Sequence, residues 1–135
     1  MNVQERHWVK ACKQGDKQAF TALFQAYSSR VYYLALSITR NEYEAEEVVQ
    51  EVFSRLWEKR RHLQEAYSLS GFLFTITKNY IRNRFRRKTR ERHYQDYFRQ
   101  QSDNALNVTE EEVDYREMEK RVQQAVSGLS PRRKD

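Results

Sequence analysis

Turn-forming residues are scarce in this chain: 135 residues hold one proline, Pro131, and three glycines, Gly15, Gly71 and Gly128. A fold of many short strands needs more turn residues than that, whereas a helical bundle needs few. The single cysteine, Cys12, excludes an internal disulfide and a cysteine cluster, and makes a reducing cytoplasm the default setting. No run of residues reaches the apolar length of a bilayer span, so membrane insertion is not expected. The start, Met1-Asn2-Val3-Gln4-Glu5-Arg6, lacks the charged-then-apolar layout of a secretion signal. Catalytic groups are equally sparse. His7, His62 and His93 lie far apart and lack metal-ligand spacing. There is no glycine-rich phosphate loop and no nucleophile elbow. No carboxylate pair is set among apolar residues that would shift its pKa. Neither an enzyme nor a cofactor or metal site is therefore expected, and Cys12 reads as a packing residue rather than a reactive thiol.

What the chain does hold is charge, at 33% of residues, beside 39% hydrophobic residues. That suits one domain with a modest core, or one domain plus a fragment of another. The net charge of +6 is not evenly spread. Residues 1–77 carry ten Lys/Arg and nine Asp/Glu, whereas residues 78–92 carry eight Lys/Arg and one Glu. Residues 93–135 carry seven Lys/Arg and nine Asp/Glu. The excess lies in one fifteen-residue stretch, and so focused a patch implies a polyanionic partner.

Periodicity gives an all-α reading. A first helix over 3–13 ends near Gly15, and Asp16 offers an N-cap to a second. There Phe20, Leu23, Phe24, Tyr27, Val31, Leu34, Ala35 and Ile38 recur at helical spacing as a core stripe. A third helix is predicted from about Glu42 to Arg60. Val48, Val49, Val52, Phe53, Leu56 and Trp57 lie on its core side, with Glu44, Glu47, Glu51 and Glu58 on the other. After a polar loop over 61–69, Ser70 can cap a fourth helix with Phe72, Leu73, Ile76 and Tyr80 facing the core. Residues 101–108 read as a linker, and Thr109 with Glu112 matches a capping box for a fifth helix that Gly128 terminates. That last helix is expected to be loosely attached, with Val113, Met118, Val122 and Val126 partly exposed or borrowed by a neighbouring molecule or the main domain.

The most informative tract is Lys78-Asn79-Tyr80-Ile81-Arg82-Asn83-Arg84-Phe85-Arg86-Arg87-Lys88. Lys78, Arg82, Arg84, Arg86, Arg87 and Lys88 can contact phosphates by displacing condensed counterions. Phe72, Phe74, Tyr80 and Phe85 can stack on unpaired bases. Asn79 and Asn83, four apart, share a helix face, and an amide can both donate to and accept from a base edge. The same tract can also be read as a solvated helix end with core aromatics. An acidic membrane surface fits less well, because the aromatic positions match a protein core. The glutamate face of the third helix opposes the charge of the rest of the chain; it would repel DNA and points to a basic protein partner, although such faces are usually only solvated.

These segments together resemble a known family, the extracytoplasmic-function (ECF) sigma factors of bacterial RNA polymerase. Gly15-Asp16-Lys17-Gln18-Ala19-Phe20 with Leu23-Phe24 and Tyr27 is similar to its opening. Ala45-Glu46-Glu47-Val48-Val49-Gln50-Glu51-Val52-Phe53 with Leu56-Trp57 is similar to its most specific segment. Phe72-Leu73-Phe74-Thr75-Ile76-Thr77-Lys78-Asn79, with the arginine run after it, is similar to its promoter-reading helix. The resemblance implies that residues 1–100 are sigma domain two, a compact helical bundle. It implies that the third helix docks on the clamp coiled coil of the largest polymerase subunit, with Glu47, Gln50 and Glu51 as contact positions. It implies that the loop at 65–71 and the fourth helix read the −10 promoter element and hold its non-template strand, with Asn79 at a base-contact position. An anti-sigma factor is a further implied partner. Three positions depart from the family pattern: Glu47 where Asp is usual, Phe72 where Trp is common, and Asn83 where Asp is common. Ala125-Val126-Ser127-Gly128-Leu129-Ser130-Pro131-Arg132-Arg133 resembles the start of domain four, so 109–135 is expected to be its truncated start, without the helix-turn-helix that reads the −35 element.

Two functions of different class follow. One is a sigma factor that directs transcription initiation; the other is a truncated interaction module that binds polymerase or an anti-sigma partner without directing transcription. An enzyme acting on nucleic acid lacks any metal or acid–base constellation.

Overall fold

The computed structural model describes residues 3–64, 68–99 and 104–128. They form five helices: α1 (Val3–Lys13), α2 (Lys17–Thr39), α3 (Glu42–Glu58), α4 (Leu69–Arg99) and α5 (Asn104–Gly128), with a 3-10 turn at Arg60–His62. The all-α expectation holds, and no strand occurs among the described residues.

Each early boundary has a local cause. Gly15 adopts φ +91°, a left-handed conformation that suits a residue without Cβ, and its N–H bonds the Cys12 carbonyl at 2.9 Å to close α1. Asp16 then caps α2: its Oδ1 accepts from the Gln18 and Ala19 amides at 2.9 and 3.3 Å. Asn41 caps α3 in the same way, accepting from the Glu44 amide at 2.9 Å.

α2 is the hub and packs against α1, α3, α4 and α5. Its predicted stripe is buried at Leu23, Tyr27, Val31, Ala35 and Ile38, while Phe20 and Leu34 are half-buried and Phe24 is exposed. Ala45, Val48, Val49, Val52, Phe53 and Leu56 of α3 close the core from one side. An aromatic cluster locks the two helices, with Phe20 5.2 Å from Trp57 and Phe24 4.9 Å from Phe53 between ring centroids. On α4 the buried stripe is Leu69, Leu73, Thr77, Tyr80 and Ile81, with Phe72 and Ile76 at its margins. Thr77 is the buried polar member, and its hydroxyl donates to the Leu73 carbonyl at 2.7 Å.

Three expectations change. The cap of α4 is Ser68, whose Oγ accepts from the Gly71 amide at 3.3 Å; Ser70 already lies inside the helix. α5 begins at Asn104, so Thr109 and Glu112 fall within it rather than at its start, and residues 104–108 of the expected linker are helical. Residues 101–103 lie outside the described residues. Finally, α5 docks on the bundle, against α2 and α4. Met118 and Val122, one turn apart, are buried to 4% and 0% exposure, with Tyr115, Ala125 and Val126 beside them. A polar tether does not prevent docking; the apolar stripe of α5 joins the core cluster through Met118 and Val122. Arg121 adds a hydrogen bond to the Ile38 carbonyl at 3.2 Å, a cation at the carbonyl end of α2.

A docked α5 should unfold with the bundle. Met118→Ala is expected to lower global stability by about 2–3 kcal/mol in urea denaturation, as for other buried methionines. A loss within about 0.5 kcal/mol would show instead that α5 hangs free.

Candidate nucleic-acid interface

The basic tract lies wholly on α4, and the helical period of about 100° per residue distributes its charges around the axis. Its buried stripe, Leu73-Thr77-Tyr80-Ile81, continues on the same side into Arg84 and Lys88. The outer side carries Thr75, Asn79, Asn83, Arg86 and Arg90, all exposed, with half-buried Phe72 at its start. Arg87, also exposed, flanks this side. The two amides expected to share a face therefore share one, and it is open to solvent.

The inward cations meet the acidic residues of α3. Arg84 Nε lies 3.0 Å from Glu44 Oε2, outside hydrogen-bonding angle, and Arg84 Nη2 donates to Glu47. Arg84 Nη1 donates to the Tyr80 hydroxyl at 3.2 Å, and Lys88 Nζ donates to Glu44. Partial burial works against the Arg84 charge, but Tyr80, Glu47 and Glu44 outweigh it and hold its pKa above the usual range. Burial likewise works against the Glu44 carboxylate, and the hydrogen bond from Lys88 with the nearby charge of Arg84 still holds its pKa below the usual 4.5. Glu47 is held low by the Tyr43 hydroxyl one turn away and by Arg84.

A third edge faces α5. Arg82 makes a two-point pair with Glu119, Nε–Oε1 2.7 Å and Nη2–Oε2 3.1 Å. Arg86 donates to the Tyr115 hydroxyl at 2.8 Å, with its guanidinium 5.5 Å from that ring's centroid. Of the expected phosphate-contact residues, Arg87 is thus exposed without an ion pair to a described residue, and Lys78 lies over the Phe74 ring at 5.6 Å. The remaining four, Arg82, Arg84, Arg86 and Lys88, are engaged within the fold.

Two hollows flank the start of α4. One of about 460 Å³ is lined by Tyr27, Arg30, Leu34, Phe74 and Lys78, among others. The other, about 570 Å³, lies between Leu63, Gln64, Ser68, Phe72 and Thr75. The first, with Tyr27 and Phe74 in its wall and Arg30 and Lys78 beside them, suits a base and its phosphate; the second offers the Phe72 ring without a Lys or Arg. Arg30 was not legible as a site residue: it lies far from the basic tract in sequence and reaches it only through the packing of α2 on α4. Glu65 to Tyr67, the middle of the loop expected to read the −10 element, lies outside the described residues.

On the opposite side, the expected protein-binding residues separate. Gln50 is exposed, Glu47 is turned onto Arg84, and Glu51 pairs with Arg55 at 3.6 Å. Gln50 instead borders a shallow α2–α3 groove of about 320 Å³ with Phe24, Tyr32, Tyr33, Glu46 and Val49. Tyr33 and nearby Tyr43 are each 67% exposed. Sequence periodicity missed these tyrosines as site residues, because a helix's polar side is ordinarily uninformative. Among the described residues no helix is long and apolar enough to cross a membrane, and no group of three or more His, Cys, Asp or Glu could hold a metal ion.

The family model described as Sigma-70 region 2 matches residues 23–91, just over half of the chain. The chain is 28% identical over 88 residues to the ECF RNA polymerase sigma factor SigW of Bacillus subtilis, covering 65% of this chain and 47% of that one. It is 31% identical over 83 residues to RfaY of Xanthomonas campestris, named as a probable RNA polymerase sigma factor, covering 62% of this chain and 21% of that one. The chain thus spans less than half the length of these relatives.

The α3–α4 ion pairs predict a pH dependence. Glu44 is held below its ordinary 4.5, so its contribution to stability is complete above that value and is lost as pH falls through the lowered pKa. Glu44→Gln should cost about 1 kcal/mol at pH 7 and progressively less below about pH 4, measured by urea denaturation. An equal deficit at both pH values would contradict the ion-pair assignment.

Proposed function

The chain belongs to the Sigma-70 region 2 family, and we propose that it binds core RNA polymerase and the −10 promoter element to direct transcription initiation, as an ECF-type sigma factor working in the cytoplasm. The observation that carries this reading is the solvent-facing side of α4, within the matched residues. There Asn79 and Asn83 stand in line with Arg90, and Arg87 stands beside them. Amides can read base edges and cations can hold phosphates, so the helix has a reading portion followed by an anchoring portion. The hollows beside Phe72 and Phe74 offer places for unstacked bases.

Within this proposal residues 1–100 act as sigma domain two, and α5, which takes in 104–108 of the expected linker, leads into the start of domain four. Polymerase docks on the α2–α3 surface around Gln50, Glu46, Tyr33 and Tyr43. Its acidic and aromatic character fits a basic coiled-coil partner, and the resemblance points to the clamp of the largest subunit. Glu47 and Glu51 contribute at its border, Glu47 while also holding Arg84. An anti-sigma factor would compete for the same surfaces. Arg84 and Lys88 serve chiefly to fix α4 in place.

A second reading, an interaction module that binds polymerase without directing transcription, is favoured by one fact: Arg82, Arg84, Arg86 and Lys88 of the basic tract are engaged within the fold. The two readings separate on whether polymerase carrying this chain prefers a −10 sequence over a scrambled one.

Two outcomes follow. With polymerase present, Asn79→Ala should lose about 1–3 kcal/mol on the preferred single strand and flatten sequence preference. Arg87→Ala should weaken all sequences alike and reduce the salt slope by about 0.7. Fluorescence anisotropy across a salt series measures both; if Asn79→Ala weakened every sequence equally, base reading would lie elsewhere. In a pull-down, Glu46→Lys with Gln50→Arg should reduce polymerase retention at least about tenfold, the factor for a loss of about 1.4 kcal/mol, with the helical circular dichroism unchanged. Full retention would move the docking site away from the α2–α3 groove.

A further inference from the structure

We propose that α5 occupies part of the DNA-binding edge of α4 as an intramolecular competitor, so that single-stranded DNA and docked α5 exclude one another. This rests on the reading of α4 as a DNA-binding helix.

The contacts are those a nucleotide would make. Glu119 meets Arg82 through both carboxylate oxygens, at 2.7 and 3.1 Å. A guanidinium offers the same two-point fork to a phosphate. One turn earlier on α5, the Tyr115 hydroxyl accepts from Arg86 at 2.8 Å. The Tyr115 ring lies 6.1 Å from the Phe85 ring, where a base could stack. α5 therefore presents an anion and an aromatic ring, one turn apart, to the edge Arg82-Phe85-Arg86.

The contact is also built to be exchanged. The side chains of Arg82 and Glu119 keep 23% and 25% exposure, and the Arg86–Tyr115 bond is exposed. Partly exposed pairs of this kind add little to stability, so a polyanion can displace them. Anchorage comes from Met118 and Val122, buried in the core, and from Arg121 on the end of α2, whereas Arg82 and Arg86 are met by Glu119 and Tyr115. Anchor and competitor are thus different residues of one helix. Because coupling is reciprocal, an α5 that weakens DNA binding must itself be loosened by DNA.

The test uses the full chain and a fluorescein-labelled mixed-sequence single strand of twenty nucleotides, followed by anisotropy across a salt series. Glu119→Gln should bind at least about fivefold more tightly than wild type, the lower end of ordinary coupling. Its salt slope should steepen by about 0.7 for each arginine released. The gain should vanish when Arg82→Ala is added. Met118→Asp, which undocks α5 at its anchor, should bind at least as tightly as Glu119→Gln. Hydrogen exchange at 115–126 should accelerate when the oligonucleotide saturates the wild-type chain, while α3 stays protected.

Arg87→Ala, outside the α5 contact, separates the two ways of failing. If it weakens binding while Glu119→Gln and Met118→Asp bind like wild type, α4 holds DNA and α5 does not compete, and the proposal is overturned alone. If wild type, Glu119→Gln and Met118→Asp all fail to bind the strand, release of α5 does not open the edge and the proposal is overturned; if they fail with core polymerase present as well, the DNA reading of α4 falls with it.

Discussion

The rotation of α4 about its own axis is the constraint on which the rest of this structure depends. Leu73, Thr77, Tyr80 and Ile81 must be buried, and once they are, a period of 3.6 residues fixes where every later side chain points. Arg84 and Lys88 are carried onto the buried side, beyond the end of the apolar core. They can remain there only because α3 supplies Glu44 and Glu47 at that place. The same rotation sends Arg82 and Arg86 to α5, and leaves Asn79, Asn83, Arg87 and Arg90 facing water. One helix thereby holds a structural charge set, a switchable one and a free one.

This division changes the meaning of the two charge features that stand out in the sequence. The basic run and the acidic face look like two separate binding surfaces for two partners. In the fold they are partly each other's counter-ions. Glu44 is engaged by both Arg84 and Lys88 and belongs to the α3–α4 contact. What α3 leaves open to solvent is the strip of Tyr43, Glu46 and Gln50, the last two bordering the groove with Phe24, Tyr32 and Tyr33 of α2.

Local signals carried most of the fold. Gly15, Asp16 and the α2 and α3 stripes were legible because caps and 3.6-residue periodicity act within a few residues. The cap at Ser68 was missed because two serines at spacing two are equivalent until the loop that precedes them is placed. The docking of α5 was missed because nothing local says which apolar stripe pairs with which; Met118 and Val122 meet the core between α2 and α4 only in three dimensions. For the site, the residue types of α4 were legible and their engagement was not. Arg82 and Glu119 are 37 positions apart, as are Glu47 and Arg84, and no pattern in the sequence links them.

The most direct test of this account is an NMR titration of the arginine Nε–Hε resonances with a single-stranded oligonucleotide. The account predicts that Arg87 and Arg90 shift first, that Arg82 and Arg86 follow as α5 is displaced, and that Arg84 keeps its position throughout. If Arg84 shifted in step with Arg87, the α3–α4 ion pairs would not fix the rotation of α4, and the separation of its charges into structural and DNA-facing sets would be wrong.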